Sequence, residues 1–178
     1  MKFLLLSLFS VLFIGCSSVK PVIKRNSTAV SSESTVWKQA LRSETSVNYY
    51  HAKIVFSDNS ITGDCLIKKN GNEWRGTFMN EMKVKAFDFI VTDNKCELLN
   101  VIPAMDKWYI KKTVADDLYY LINVDNPNAS FHKKTKRFEQ DDILVVNFKK
   151  KQILAKPDNS ILLMNNRRNL QYELRIVE

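Results

Sequence analysis

Two histidines and three cysteines are the side chains with the readiest chemistry in this 178-residue sequence. A hydrolytic site needs a nucleophile, a base within reach of it, and a group that orients the base. His51 lies on the more polar face of an alternating stretch, and His132 precedes Lys133 and Lys134. Neither stands in a Ser or Cys motif of that kind, so both read as surface histidines. Asp116-Asp117 and Asp141-Asp142 are paired carboxylates, the type that divides acid and base roles between neighbours. The first pair falls on the polar side of a helical pattern and the second flanks a strand, as solvated charge does. The sequence holds no glycine-rich phosphate loop, His-Glu-x-x-His or calcium-loop pattern. Cys65 and Cys96 fall in strand-like runs without Cys-x-x-Cys or His-rich spacing. The expectation is a chain with no catalytic residues, no metal and no cofactor.

The third cysteine has a different setting. Met1-Lys2 gives a basic start, Phe3 to Ile14 is apolar apart from Ser7 and Ser10, and Gly15-Cys16 follows at once. Such a run is a signal peptide and too short to span a bilayer. Leu12-Phe13-Ile14-Gly15-Cys16 resembles the bacterial lipobox, whose Cys becomes the diacylglyceryl-modified first residue after cleavage. Residues 1–15 are then the leader. Acyl chains contribute ~0.8 kcal/mol per buried CH₂, so two or three hold a protein to a membrane it does not cross. Ser17, with no Asp after the Cys, resembles lipoproteins passed on to the outer membrane, on its periplasmic face. Residues 16–34 carry six Ser from Ser17 to Ser34 and read as a tether. In an oxidising periplasm a Cys65–Cys96 disulfide is permitted, with buried thiols as the plainer reading.

Removal of the leader leaves 178 − 15 = 163 residues, enough for one domain with a real core and too few for two large ones. Apolar residues at 45% exclude a wholly disordered chain, and only 4 Gly and 4 Pro exclude collagen-like or linker composition. The 27 Lys+Arg against 19 Asp+Glu give +8, or +7 without Lys2. The basic residues cluster at Lys111-Lys112, His132 to Arg137, Lys149-Lys150-Lys151 and Arg167-Arg168. For an exported lipoprotein their counter-charge is phospholipid or lipopolysaccharide phosphate, with solvated loops as the alternative and no nucleic acid.

The folded part, residues 35–178, opens with a weak helical pattern over Val36 to Leu41. Tyr50, Ala52, Ile54 and Phe56 then alternate as a strand, and Ile61, Gly63, Cys65 and Ile67 form the next, with Asn70-Gly71-Asn72 as the following turn. Trp74, Gly76 and Phe78 share a face in the third strand. In the fourth, Val84 and Ala86 run in one phase while Phe87, Phe89 and Val91 run in the other, which calls for a bulge or for two covered faces. After Lys95 to Ile102 the period lengthens to about 3.6. Met105, Trp108, Tyr109, Val114, Leu118, Leu121 and Ile122 form one stripe, with Asp106, Lys111, Lys112, Asp116 and Asp117 largely opposite. Asn123 to Ser130 is a loop, and five short strands close the chain, the last built on Leu170, Tyr172, Leu174 and Ile176. Roughly ten strands and one long helix predict an α+β fold: a strongly curved antiparallel sheet wrapped around the helix, with an apolar hollow inside.

The order Thr62-Gly63, Leu66 to Lys69, Trp74 to Phe78, Asn80 to Phe89 and a following amphipathic helix resembles LolB-like outer-membrane lipoproteins, of the same superfamily as the carrier LolA. The resemblance covers about sixty residues and implies a half-open β-barrel that accepts the acyl chains of lipoproteins and releases them into the outer membrane. It implies that Trp74, Phe78, Phe87, Phe89 and Trp108 line or support the cavity, whereas the residues alone fit plain core more readily than a ligand pocket. By position it makes Met82 the tip of a membrane-inserting loop. The family's Pro and Gly are missing there, and a buried strand-end Met fits as well. The partners implied are membrane lipid through Cys16 and the acyl chains of lipoproteins or other lipids. An accessory subunit bound to an envelope protein, its core filled by its own side chains, is the alternative of a different class.

Overall fold

The computed structural model describes residues 47–56 and 59–177. The expected leader (1–15), Cys16, the expected tether (16–34) and the short helix expected over Val36 to Leu41 lie outside the described residues. Ten strands are present: β1 (Asn48–Phe56), β2 (Asn59–Asn70), β3 (Glu73–Asn80), β4 (Lys85–Val91), β5 (Cys96–Leu99), β6 (Lys136–Gln140), β7 (Ile143–Phe148), β8 (Lys151–Ala155), β9 (Ser160–Asn165) and β10 (Leu170–Ile176). One helix, α1 (Trp108–Ile122), lies between β5 and β6, flanked by 3-10 turns at Pro103–Met105 and His132–Lys134. This is the α+β content that the alternating runs predict. Two boundaries differ. β5 stops at Leu99 because Asn100 turns left-handed (φ 51°), and Met105 closes the 3-10 turn begun by Pro103 instead of opening the helix.

All ten strands form one sheet in the order β5-β4-β3-β2-β1-β10-β9-β8-β7-β6, every neighbouring pair antiparallel. Two five-stranded meanders are thus joined at the centre by pairing of the first and last strands, Tyr50 opposite Ile176 through Phe56 opposite Leu170. Two-residue loops make the tightest hairpins. Gly71 takes φ 59° in one, and Asp141 and Asp142 both take positive φ in another, the conformation that matches strand twist. The phase change in β4 is a bulge: the β3–β4 register shifts between Phe78 and Met79, which turns Phe87, Phe89 and Val91 inward.

One face of the sheet carries Tyr50, Ala52, Cys65, Ile67, Phe78, Phe87, Phe89, Ile153, Ile161, Leu163, Tyr172 and Leu174, all buried in a single cluster with Val114, Leu118 and Leu121 of α1. Adjacent helix residues reach opposite arms. Tyr119 donates its hydroxyl to the Asp93 carbonyl (2.7 Å) in the β4–β5 turn, and Tyr120 donates to the Val146 carbonyl (3.2 Å) of β7. β4 and β7 are second and ninth in the sheet order. Seven strand spacings of ~4.8 Å would separate them by about 34 Å in a flat sheet, against a helix only ~10 Å across. The sheet therefore bends round α1.

Gly76 makes room for that packing. A Cβ placed on it would lie 2.1 Å from the Phe89 ring and 2.7 Å from the Leu66 carbonyl oxygen, so the phenylalanine lies directly on bare backbone. Gly76→Ala is expected to lower stability by about 1–3 kcal/mol through overpacking, read as a lower melting temperature by circular dichroism with the far-ultraviolet spectrum retained. An unchanged melting temperature would mean that Phe89 does not sit there.

Candidate functional site

Between α1 and the central strands runs a crevice lined by Ala52, Ile54, Phe78, Phe87, Phe89, Leu118, Leu121 and Leu174 together with Lys53, Cys65, Ile67 and Tyr172. Its free volume is only about 20 Å³. That is close to the space of one water, because the aromatic side chains fill it: Phe78 stacks on Phe87 with ring centres 5.5 Å apart, and Phe87 meets Phe89 at 6.3 Å. The strands position these rings by alternation, and the β4 bulge sets their phase.

Of the five aromatics expected at the cavity, the structure brings three together. Trp74 packs at the margin of the core, with the Lys69 ammonium 5.7 Å from its ring centre, and is not among the crevice residues. Trp108 does not line the cavity: it is 75% exposed, edge-on to Tyr109 at 6.1 Å. At 100° per residue Trp108 lies about 120° round the helix from Val114, so it was never on the inward stripe. Met82 is 79% exposed, and the strand-end burial that the residues also allowed is not what is found. It occupies a turn closed by the Lys83 amide donating to the Asn80 carbonyl (2.9 Å), with Lys83 itself at φ 60° where Gly would be cheaper. An ion pair between the Lys83 ammonium and the Asp64 carboxylate holds that lysine in place.

Asp117 corrects the reading of a solvated Asp116-Asp117 pair. It is wholly buried, lying about 60° from Val114 and so within the inward stripe. Both its oxygens accept from the Asn165 amide of β9 (2.9 and 3.1 Å), and the Lys151 ammonium of β8 lies 2.7 Å from one of them. Lys151 also donates to the Asp116 carbonyl (2.9 Å) and sits 5.9 Å from the Tyr120 ring centre. Burial pushes the Tyr172 phenol well above its ordinary value, and the nearby Asp117 carboxylate adds to this. The pair fastens the helix to the β6–β10 arm. Removing one partner of a buried pair leaves an uncompensated charge, so Lys151→Met is expected to cost about 3–5 kcal/mol in urea unfolding. Adding Asp117→Asn to it should recover much of the loss. Equal stability of Lys151→Met and wild type would mean the pair is not desolvated.

The far end of α1 is held by polar contacts to the other arm. Asn123 donates to the Thr92 carbonyl (2.9 Å) and Asn126 to Asp93 (2.7 Å). No side chain caps the helix start.

The outer face holds the only pairing of a described histidine with a carboxylate. His51 Nδ1 is 3.7 Å from Asp64, beside Lys83 and Tyr49. The histidine is exposed and serves a salt-bridged carboxylate. Cross-strand register is what brings His51 opposite Asp64. A second outer hollow of about 470 Å³ contains Leu66, Ile90, Leu99 and Asp88. There Thr77 (2.6 Å), Asn100 (2.7 Å) and Lys85 (3.0 Å) already donate to the Asp88 carboxylate.

The Lys83 ammonium and the Tyr49 hydroxyl hold the Asp64 carboxyl below the usual carboxylate range. Burial alone would raise Asp88, but the bonds from Asn100, Thr77 and Lys85 outweigh it and lower the value, and Ser160 lowers Asp158. These groups bind protons less readily folded than unfolded. Their stabilisation is complete above the unfolded value of about 4 and is lost as pH falls through the folded ones. Urea midpoints are expected to hold steady from neutral pH to about pH 5 and to fall below about pH 4, less steeply in Asp64→Asn. A midpoint rising on acidification would refute this.

Cys65 and Cys96 are free. They lie on strands three places apart in the sheet and in different cross-strand rows, about 14 Å at ~4.8 Å per strand, beyond disulfide reach. Burial pushes both thiols up to about 12, so neither is a nucleophile at neutral pH. Among the described residues no cluster of three or more His, Cys, Asp or Glu could hold a metal ion, and no helix is long and apolar enough to cross a membrane. No protein-family model matches the chain, and no curated protein matches it.

Proposed function

We propose that the chain is a non-enzymatic lipoprotein, anchored through an acylated Cys16 to the periplasmic face of the outer membrane, whose inner sheet face takes up acyl chains beneath α1. The architecture is read as a half-open barrel of the LolA and LolB kind, and acceptance or insertion of other lipoproteins is the corresponding activity. The crevice carries this reading, because its lining is apolar or aromatic apart from Lys53. A chain of about sixteen methylenes, each near the ~30 Å³ share of a water molecule, needs on the order of 450 Å³. Uptake therefore requires α1 to move outward, away from the β4–β5 turn that Tyr119 and Asn123 bind. Burial at ~0.8 kcal/mol per methylene returns on the order of 10 kcal/mol, enough to offset uncovering Leu118 and Leu121 at about 1.5–3 kcal/mol each.

The chain from Ser17 onward is expected to take up a fluorescent fatty acid, and faster when Asn123→Ala loosens α1 from the β4–β5 turn. Native mass spectrometry should then show bound lipid. A chain that neither carries lipid nor takes up the probe overturns the reading. The small free volume of the crevice favours a second one, an accessory subunit of an envelope complex with a self-filled core. Recovery of a stable envelope partner together with failed uptake would support it.

A further inference from the structure

Antiparallel alternation sends every second turn of a meander to the same rim of the sheet. One rim collects the end of β1 and start of β2, the β3–β4, β7–β8 and β9–β10 turns, the exit from β5 and the entry to β6. The opposite rim collects the β2–β3, β4–β5, β6–β7 and β8–β9 turns, and with them Glu73, Asp93, Asp141, Asp142 and Asp158. The sheet is therefore polar from rim to rim.

On the first rim the two arms differ. The β1–β5 half exposes Phe56, Ile61, Met82 and Val84. The β6–β10 half gathers three basic clusters that are far apart in sequence. Lys149 and Lys150 form the β7–β8 turn, and the Asn166 amide donates to the Lys150 carbonyl (2.9 Å), which sets Arg167 and Arg168 beside them. Phe131 packs on Phe148 with ring centres 5.4 Å apart, bringing Lys133 and Lys134 to the same place, while Lys136 pairs with Asn147 on β7. All seven of these cationic side chains are exposed. None has a carboxylate within 4.0 Å among the described residues. Lys149 also holds φ 54°, where Asn or Gly would be easier, with its ammonium 5.1 Å from the Phe148 ring centre. The two halves meet where Phe56 pairs with Leu170, directly after the arginine turn.

We propose that this rim docks on an anionic phospholipid bilayer, the β6–β10 half binding headgroup phosphates and the neighbouring apolar half entering the interface. Two observations choose a bilayer over an acidic protein. Exposed apolar side chains adjoin the cations along the same rim, as an interfacial surface requires. In the far-rim turns Asp93, Asp141, Asp142 and Asp158 outnumber Lys95 and Lys156, whereas in the turns of this rim Glu81 is, among the described residues, the one acid beside Lys83, Lys149, Lys150, Arg167 and Arg168. The charge asymmetry therefore orients the domain towards an anionic plane. The assignment rests on the reading of a membrane-anchored chain. Thirty residues lie between Cys16 and Val47 by number, so 31 steps of ~3.5 Å give a reach of up to about 110 Å, and the anchor alone sets no orientation.

The test uses the chain from Ser17 onward, with no acyl group, co-sedimented with vesicles of phosphatidylcholine alone or mixed with phosphatidylglycerol. Binding is expected to the mixed vesicles only and to be lost in high salt. Lys149→Gln, Lys150→Gln, Arg167→Gln and Arg168→Gln together should weaken it about tenfold or more. The same number of charges removed from the outer face and far rim, at Lys53, Lys68, Lys95 and Lys156, should change it little. Equal loss in both variants, no preference for phosphatidylglycerol, or tighter retention by polyglutamate than by vesicles would overturn the proposal. Both variants should melt like the wild type, since seven of the eight changes are at exposed positions and Lys156 is only half-buried. Fatty-acid uptake should be unchanged in the rim variant, so the rim and the crevice stand or fall separately.

Discussion

The pairing of β1 with β10 is the constraint on which the rest of the structure depends. It joins residues more than a hundred positions apart and converts two separate meanders into one sheet. Without it each arm would expose an apolar face with no helix of its own to cover it, since among the described residues α1 alone serves both. Such non-local pairing has a high entropic cost before it returns contacts, and it places completion of the sheet late in folding. The interior exists only once the first and last strands have met.

α1 then has two attachments of different character. To the β6–β10 arm it is fixed by a desolvated charge pair and an amide, Asp117 with Lys151 and Asn165. To the β1–β5 arm it is fixed by neutral hydrogen bonds near its C-terminal end, from Tyr119 and Asn123 to the β4–β5 turn. A buried charge pair resists loss of either partner far more than a neutral bond does. Any outward movement of the helix is therefore expected to keep the β6–β10 attachment and to release the other, which opens the crevice on the side of Phe78, Phe87 and Phe89.

Much of this was legible in the residues. Period-two alternation marked each strand, and the phase change from Ala86 to Phe87 marked the bulge, because a pleated strand with one covered face must repay any slip in phase. Residue type alone suggests an inward face for Trp108 and a solvated one for Asp117, whereas their angular positions put Trp108 outside the inward stripe and Asp117 within it. Asp117 is buried because Lys151 and Asn165, 34 and 48 residues later, are there to meet it, and no local pattern contains that information. The same applies to His51 beside Asp64, which cross-strand register creates, and to the two cysteines, whose separation follows from strand order.

By itself the sequence determined the number and type of elements, the apolar rings of the inner face, a net positive charge and the motif at Cys16. Each of these depends on neighbours a few residues away: the period of a strand, the phase of a helix, the apolar run before Cys16. The tertiary structure decided which strands adjoin, how little space the core leaves, and that basic clusters at residues 132–137, 149–151 and 167–168 share one rim with exposed apolar side chains. Those outcomes depend on strand order and on the direction in which each strand runs, which long-range pairing sets and local composition does not record.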